Sequence, residues 1–587
     1  MRVIATAGHV DHGKSTVIRA LTGMEPDRWA EEQRRGLTIG LGFVWTTLPG
    51  VGEVAFVDVP GHEKFVPTML AGVGPVPAVL FVVAADGGWM PQSDEHLAAL
   101  DAFGVRHGML AVTRADLADP APAMADALTR IGRTSLGELP AVAVSARTGR
   151  GLDKLRAALV TLATQVGPGD PAADVRLWID RTFTIDGAGT VVTGTLAAGT
   201  LRVEDQLVLA GSGERVRVRA LQSLGKDLDV VVPAARVAVN LRGTARPSVG
   251  PGDALLTRDV WRRTDVLDAV LTGDDARQLP RELVLHIGSA AVRVRPRALG
   301  PTTTRLRLAR PLPLRVGDRV LLRDPGRHRV AARADVLDID PPDLHRRGAA
   351  AARAAELTAL AGAPAVEQAE ALLRRQRFLA PAGFRIAGLP VVGQPVSVLR
   401  ADPTALAAAL AQLPGTVRTW SADNPLAAGM PLDVLRQALD LPDLATTEHL
   451  VRDADLSLAD GRVRPAADPA ALPPTLQAAV DTVRADLSSA PFVAPDTNRL
   501  AELGLGYQEL AAAARAGQLL RVGNGIVLLP DAEQRAAEIL ATLPAPFTVA
   551  QARQALDTTR RVAVPLLELL DRNGITRRLT DGTRHLR

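Results

Sequence analysis

The stretch "GHVDHGKST", residues 8–16, has the spacing G-x-x-x-x-G-K-[ST] and lies between a β-prone run, "RVIATAGHV", and the helix-like "STVIRALTG". In that context the backbone of Gly8, His9, Val10, Asp11, His12, Gly13, Lys14, Ser15 and Thr16 turns successive N–H groups toward a polyphosphate at a helix N-terminus. Lys14 brings a positive charge to the β and γ phosphates, and the Ser15 hydroxyl can ligate Mg²⁺. Further on, "EVAFVDVPGHEKF" reads as a buried strand ending at Asp58, a carboxylate that can hold Mg²⁺ through water. Gly61 would let its N–H approach a γ-phosphate, and His62 stands where a side chain could position an attacking water. Between these motifs, "EEQRRGLTIGLGF" sets Thr38 among Gly36, Gly40 and Gly42. Alone it is an ordinary flexible loop. Beside the other two motifs it reads as a switch whose threonine adds its hydroxyl to Mg²⁺ and its N–H to the γ-phosphate.

The base is read further along. "GMLAVTRADL" is a strand followed by a loop that, in such a fold, lies over the base, and Asp116 can accept two hydrogen bonds from guanine N1–H and its 2-amino group. This favours GTP. Thr113 and Arg114 stand where Asn and Lys are usual, and the aliphatic stem of Arg114 can still cover the base. "VAVSARTGRG" then offers Ser145, Ala146 and Arg147, where a backbone N–H could meet guanine O6.

Several elements must position these residues. A chain of 587 residues exceeds one hydrophobic core, and a prior of roughly one domain per 150 residues makes it modular. A hydrophobic content of 47% with 22% charged residues fits soluble globular domains; no apolar run is long enough to span a bilayer, and the start "MRVIATAGHV" lacks the plan of a signal peptide. A cytoplasmic protein without a membrane partner is expected. The absence of Cys removes disulfides and thiolate metal sites. The pI of about 10.0 looks like a nucleic-acid footprint, yet the net charge is only +4. With few Lys and one Tyr, almost nothing titrates below the Arg range, so the pI alone says little.

The organisation reads as an α/β P-loop GTPase domain at 1–170, two antiparallel β-barrels at 175–260 and 261–340, and a C-terminal array of winged-helix modules at 343–400, 401–470, 471–532 and 533–587. The linker "VGPGDPAADV" marks the first change, after which apolar residues alternate between glycine turns. The tail repeats helices followed by a Gly or Asp-Gly turn between short strand-like pieces. Charge is concentrated at its end: from residue 551 onward eight arginines face four acidic residues, an excess of +4 that equals the whole chain's. Arg560, Arg561, Arg577 and Arg578 are the candidates for phosphate contacts, against the plainer reading of a solvated basic terminus.

With "GHVDHGKST", "RGLTIGLGF", "DVPGHEKF" and "MPQSDEH" in this order, the first part resembles translational GTPases of the elongation factor Tu type. The "TRAD" loop and the long tail are most similar to the selenocysteine-specific elongation factor (SelB) family, in which Thr in that first position is usual; Gly40 departs from an acidic residue often found there. The resemblance implies GTP/GDP and Mg²⁺ as cofactors, and a G domain with two barrels as the tRNA-carrying body. It also implies selenocysteyl-tRNA, the ribosome and a selenoprotein mRNA hairpin as partners, the hairpin held by the last winged helix. A monomer suits such a task. "IDR" and "ARVAVN" match the segments lining that family's selenocysteine pocket, with Asp180 near the α-amino group and Arg181 and Arg236 as the cations. A positive pocket suits a selenol, which is ionised at neutral pH, where serine and most cysteine are neutral. The plainer reading of these three is a salt bridge on the barrel surface. Two other functions stay open on the residues: a GTPase carrying another aminoacyl-tRNA, and a GTPase regulating a protein-docking or nucleic-acid-binding winged-helix array.

Overall fold

The computed structural model describes residues 1–26, 38, 40–62, 65–74, 76–185, 189–242, 249–454, 456–465, 472–523 and 525–587. Gly36 of the expected switch lies outside them. The chain divides into two compact units, one comprising 1–372 with 381–392 and the other 373–380 with 393–587.

The first unit opens with a six-stranded sheet: β1 (Arg2–Ala7), β2 (Gly42–Leu48), β3 (Gly52–Asp58), β4 (Ala78–Ala84), β5 (His107–Thr113) and β6 (Ala141–Ala143). The order is β2-β3-β1-β4-β5-β6, parallel throughout except for the antiparallel edge pair β2–β3. Helices cover both faces, which is why "AVLFVVA" of β4 is buried at every position. Successive residues of β1 enter opposite cores: Val3, Ala5 and Ala7 pack with Leu70 and Phe81, and Ile4 packs with Ile18 and Leu159. Each such Val, Ile, Leu or Phe contributes about 1.5–3 kcal/mol on burial. The sheet's carboxyl edge therefore carries the loops after β1, β3 and β5, the place where a nucleotide binds in this class of fold.

Eight strands lying between Arg176 and Thr257 form an antiparallel sheet with a small ribbon beside it. The Asp180 N–H donates to the Thr193 carbonyl at 3.0 Å, rolling the chain after the first strand back against Gly189–Leu196. Residues 263–338 form a closed six-stranded antiparallel barrel. The helix Ala349–Leu360 is fastened to that barrel by a buried ionic cluster. Arg353 Nε donates to Asp268 at 2.8 Å and Nη1 to Glu356 at 2.7 Å, Nη2 donates to Asp338, and Arg305 Nε bonds Asp268 at 2.7 Å.

The second unit repeats a plan of helices and a closing hairpin. One module has helices Pro403–Asp423, Leu432–Ala438 and Leu444–Asp453 with the hairpin Leu456–Ala459 and Arg462–Pro465. The next has Pro474–Ser489, Thr497–Glu502 and Tyr507–Arg515 with Leu520–Gly523 and Ile526–Leu528. The last has Ala532–Leu540, Val549–Ala555 and Arg560–Arg572 with Thr576–Arg578 and Arg584–Leu586. The third and fourth expected modules share one core, in which Val480, Leu510 and Val527 pack in the same cluster as Leu540, Leu566 and Leu570. The seam between units falls inside 343–400: Ala349–Leu360 and Pro381–Ala387 group with the first unit, and strands Phe378–Leu379, Gln394–Val396 and Leu399–Ala401 with the second.

Candidate functional site

The P-loop leaves β1 through Gly8, whose φ of 127° and 2.1 Å approach of a would-be Cβ to the Val82 carbonyl admit only glycine. The helix Lys14–Thr22 starts at Gly13, in the left-handed region with φ 82° and with no side-chain cap, so its first-turn N–H groups are left to an anion. Lys14 Nζ donates to the carbonyls of Gly8 and His9 at 3.0 and 2.8 Å, which fixes the ammonium inside the curl of the loop. A cleft of about 360 Å³ is bounded by Val10, Asp11, Gly13, Lys14 and Thr16, by Thr38 and Gly61, and by Thr113, Arg114, Asp116, Ser145, Ala146 and Arg147. Five separate motifs thus meet at one cleft. A Cβ on Gly61 would stand 2.5 Å from both Lys14 Nζ and the Val10 nitrogen, so only glycine lets this switch close on the P-loop.

Oxygen ligands converge behind that cleft. Ser15 Oγ donates to Asp58 Oδ2 at 2.6 Å and lies 3.1 Å from Thr38 Oγ1, and Thr6 Oγ1 steadies Asp58 Oδ1 at 2.6 Å. Two hydroxyls and a carboxylate form the hard-oxygen set that suits Mg²⁺, and among the described residues no cluster of His, Asp and Glu offers another metal site. His62 does not line the cleft; its ring centroid lies 6.0 Å from that of Phe65.

At the base end, the unusual "TRAD" has a structural account. Thr113 is buried and its Oγ1 donates to the His12 carbonyl at 2.7 Å, tying the base loop to the P-loop. Arg114 donates to the Asp11 carbonyl and pairs with Asp86 at 3.0 Å, so its charge is held at the rim while its stem lines the cleft. A hydrogen bond from Ser145 holds the Asp116 carboxyl below the usual carboxylate range, helped by Arg147 at 3.3 Å. The carboxylate therefore stays an acceptor, as guanine requires.

Two residues escaped the sequence reading. In the helix Pro91–Phe103, Gln92 Oε1 accepts from the Val10 N–H at 3.1 Å and His96 Nδ1 from the Gly8 N–H at 3.1 Å. Burial pushes His96 down to about 3 and His12 to about 4, so both rings are neutral at pH 7 and His96 can act as an acceptor. "MPQSDEH" carries both at i and i+4 on one helix face, a spacing that could have flagged them.

Asp180, Arg181 and Arg236 come together in the eight-stranded sheet. Arg236 donates to both Asp180 oxygens, Nη2 at 2.6 Å to Oδ1, and also to Thr193 Oγ1 at 2.9 Å. With side chains 11% and 7% exposed, this is a buried pair, unlike the surface bridge that was the plainer expectation. Arg181 donates to the Leu41 carbonyl, and the ring of Phe43 lies under both guanidinium groups, 5.0 Å from Arg181 and 3.7 Å from Arg236. Leu41 and Phe43 lie three and five residues beyond Thr38, where the strand Gly42–Leu48 begins, so the segment entering that strand covers these cations. At the C-terminus, Arg560, Arg561, Arg577 and Arg578 are all exposed on the helix and hairpin of the last module. Arg561 reaches the carbonyls of Pro495 and Gly525 at 3.2 and 3.4 Å, and Arg584, counted in the charge excess, is buried against Asp571 at 2.9 Å.

Comparison with known proteins agrees with this geometry. Residues 1–165 match the elongation factor Tu GTP binding domain, 189–256 match elongation factor Tu domain 2, and 538–585 match the winged helix of elongation factor SelB. The translation initiation factor 2 subunit gamma of Halobacterium salinarum is 34% identical over 303 residues, which make up 72% of its length and 43% of this chain. This chain belongs to the translational GTPases of the elongation factor Tu type. Its relatives include the selenocysteine-specific elongation factors of Desulfomicrobium baculatum, 37% identical over 336 residues, and Escherichia coli, 38% identical over 354 residues. These alignments take in 55% and 59% of this GTPase, which spans about half the length of those relatives, 53% and 56%. A crystal structure of a bacterial selenocysteine-specific elongation factor matches the fold over 100% of both chains, with a TM-score of 0.78 at 23% identity.

Proposed function

We propose that this GTPase delivers selenocysteyl-tRNA to ribosomes at recoded UGA codons, working as a cytoplasmic monomer that also grips an mRNA hairpin through its last winged-helix module. The observation that carries the reading is the cationic pair Arg181 and Arg236 beside Asp180, covered by the segment that enters β2. Arg236 is paired with Asp180, and Arg181 brings a second guanidinium to the pocket, a charge that favours a selenolate over a seryl hydroxyl. Asp180 stands for the α-amino group.

GTP is held by the P-loop amides and Lys14, and its base by Asp116 with Ala146 and Ser145. Ser15, Thr38 and Asp58 are the residues that would hold Mg²⁺, which supplies charge neutralisation at the β and γ phosphates. With GTP bound, Thr38 and the Gly61 loop are drawn in, and the segment Leu41–Phe43 at the start of β2 is set against Arg181 and Arg236, so the nucleotide state governs the aminoacyl pocket. Ribosome contact brings His62 to the attacking water, and hydrolysis releases Thr38 and with it the tRNA. Arg560, Arg561, Arg577 and Arg578 take hairpin phosphates, raising the effective concentration of the complex at the right codon. GTP turnover on ribosomes programmed with UGA tests this. A message carrying a downstream selenoprotein hairpin should stimulate turnover in the presence of selenocysteyl-tRNA; equal turnover without the hairpin would contradict the tethering role.

A further inference from the structure

A second group of arginines, away from the last module, has no carboxylate partner among the described residues, unlike several arginines of the first unit. In the first unit Arg176 is paired with Asp318, Arg315 with Asp174 and Arg305 with Asp268, each at 2.6–2.7 Å. In the second unit, a cleft of about 450 Å³ lies between the end of the helix Pro403–Asp423, the strand Arg462–Pro465 and the helix Tyr507–Arg515; Arg418, Arg464 and Arg515 line it, and among the described residues no carboxylate does. Arg515 donates to the Leu426 carbonyl at 2.5 Å and Arg462 to the Gly429 carbonyl at 3.1 Å, while Arg464 Nε is buried with no hydrogen-bond partner among the described residues. Burial, then the cations Arg464, Arg462 and Arg521, push the Arg515 guanidinium down from its ordinary value. One cation at a helix C-terminus would be explained by the helix dipole; several that repel one another, one with a buried unsatisfied donor, would not.

The same helix begins at Tyr507, the chain's one tyrosine, which is 70% exposed and has the Arg521 guanidinium 4.4 Å from its ring centroid. Beside it a hollow floored by Leu500, Leu505, Leu510 and Val527 is rimmed by glycines. An exposed aromatic ring backed by a cation is a platform for an unpaired base, and a winged helix presents its third helix to nucleic acid. The helix has 9 residues, so about 12 Å separates its ends, short enough for one strand to touch both.

We propose that the second and third winged-helix modules together hold a second RNA contact, with phosphates taken by Arg464 of the second and Arg515 of the third, and an unpaired base stacked on Tyr507, the ring that Arg521 backs. An acidic peptide would satisfy the arginines but would leave the Tyr507 platform unused, so RNA is the occupant the two features share. The contact is independent of the selenocysteine reading and of Arg560, Arg561, Arg577 and Arg578.

The test uses the full chain with those last four arginines changed to glutamine, so that the last module is silenced. Binding of a fluorescein-labelled single-stranded A12 RNA is followed by anisotropy between 50 and 300 mM KCl. Residual binding is expected. In that background R464Q/R515Q should flatten the slope of log K against log salt by about 1.4, at about 0.7 per phosphate contact on a single strand. Y507A should weaken binding about tenfold and leave the slope alone. R464Q/R515Q should also melt at or above the temperature of its parent, because a repulsion has been removed. No residual binding, an unchanged slope in R464Q/R515Q, or a lowered melting temperature in that variant would overturn the proposal. Polyglutamate displacing the RNA equally well from the parent protein and from its Y507A variant would overturn it in favour of an acidic peptide.

Discussion

Changing Arg236 to alanine should damage the fold of the eight-stranded sheet before it can report on any ligand. Its guanidinium makes a two-pronged pair with Asp180 and a third bond to Thr193, and the two side chains are only 11% and 7% exposed. Arg236→Ala leaves the Asp180 carboxylate buried with the Thr193 hydroxyl, at 2.8 Å, as its remaining side-chain partner. Stranding one member of a buried pair costs about 3–5 kcal/mol, whereas removing both members is often close to neutral. The double variant Asp180→Ala/Arg236→Ala should therefore recover most of the loss, a coupling of about 3 kcal/mol. Hydrogen exchange in peptides spanning 176–196 and 235–242 reads this locally: about a hundredfold faster exchange or more in Arg236→Ala, and less than tenfold in the double variant. A single variant that exchanges within threefold of wild type, or a double variant worse than the single, would refute the view that Asp180 consumes the charge of Arg236. For this reason Arg181→Ala is the cleaner probe of the aminoacyl pocket.

Gly61→Ala places a Cβ 2.5 Å from Lys14 Nζ and from the Val10 nitrogen, so affinity for a fluorescent GTP analogue should fall at least tenfold with a smaller effect on the GDP form; equal losses would show that Gly61 does not serve the γ-phosphate end. Asp116→Asn removes the acceptor for guanine N1–H and should cut GTP affinity by about 100-fold while improving binding of xanthosine triphosphate, measured by competition; unchanged preference would remove Asp116 from the base site. His96 and His12 are pushed by burial to about 3 and about 4 from an ordinary 6.5. The unfolded chain takes up these protons first, so the stability they contribute is fully present above pH 6.5 and is lost as pH falls toward 3–4, about 2 kcal/mol per histidine by pH 5. Urea unfolding at pH 7.5 and pH 5 should show this loss, and His96→Gln should reduce it.

What could be read directly from the sequence was local. The P-loop, the switch glycine and the base loops announce themselves because each acts through a few consecutive residues whose backbone must take one shape, and the cleft brings Lys14, Thr38, Gly61, Asp116 and Ala146 together. Roles that depend on packing were hidden. Gln92 and His96 hold the P-loop only because the start of their helix lies against β1's end, and nothing in "MPQSDEH" names the amides they accept from. Arg236 lies 56 residues beyond Asp180, and only the register of the sheet shows that they neutralise each other. The charge count at the C-terminus could not separate Arg584, buried against Asp571, from Arg577 and Arg578, which reach solvent. The seam between units inside the first expected winged helix is likewise a matter of which neighbours its strands find, not of composition.

The central claim is that a nucleotide-governed, positively charged pocket carries selenocysteine. Its most direct test is the affinity of the GTP-loaded protein for selenocysteyl-tRNA beside the same tRNA carrying serine, in wild type and in Arg181→Ala. The account predicts a strong preference for the selenocysteyl form that collapses in the variant. Equal binding of the two forms by the wild type would contradict it and return this GTPase to a more general tRNA-carrying role.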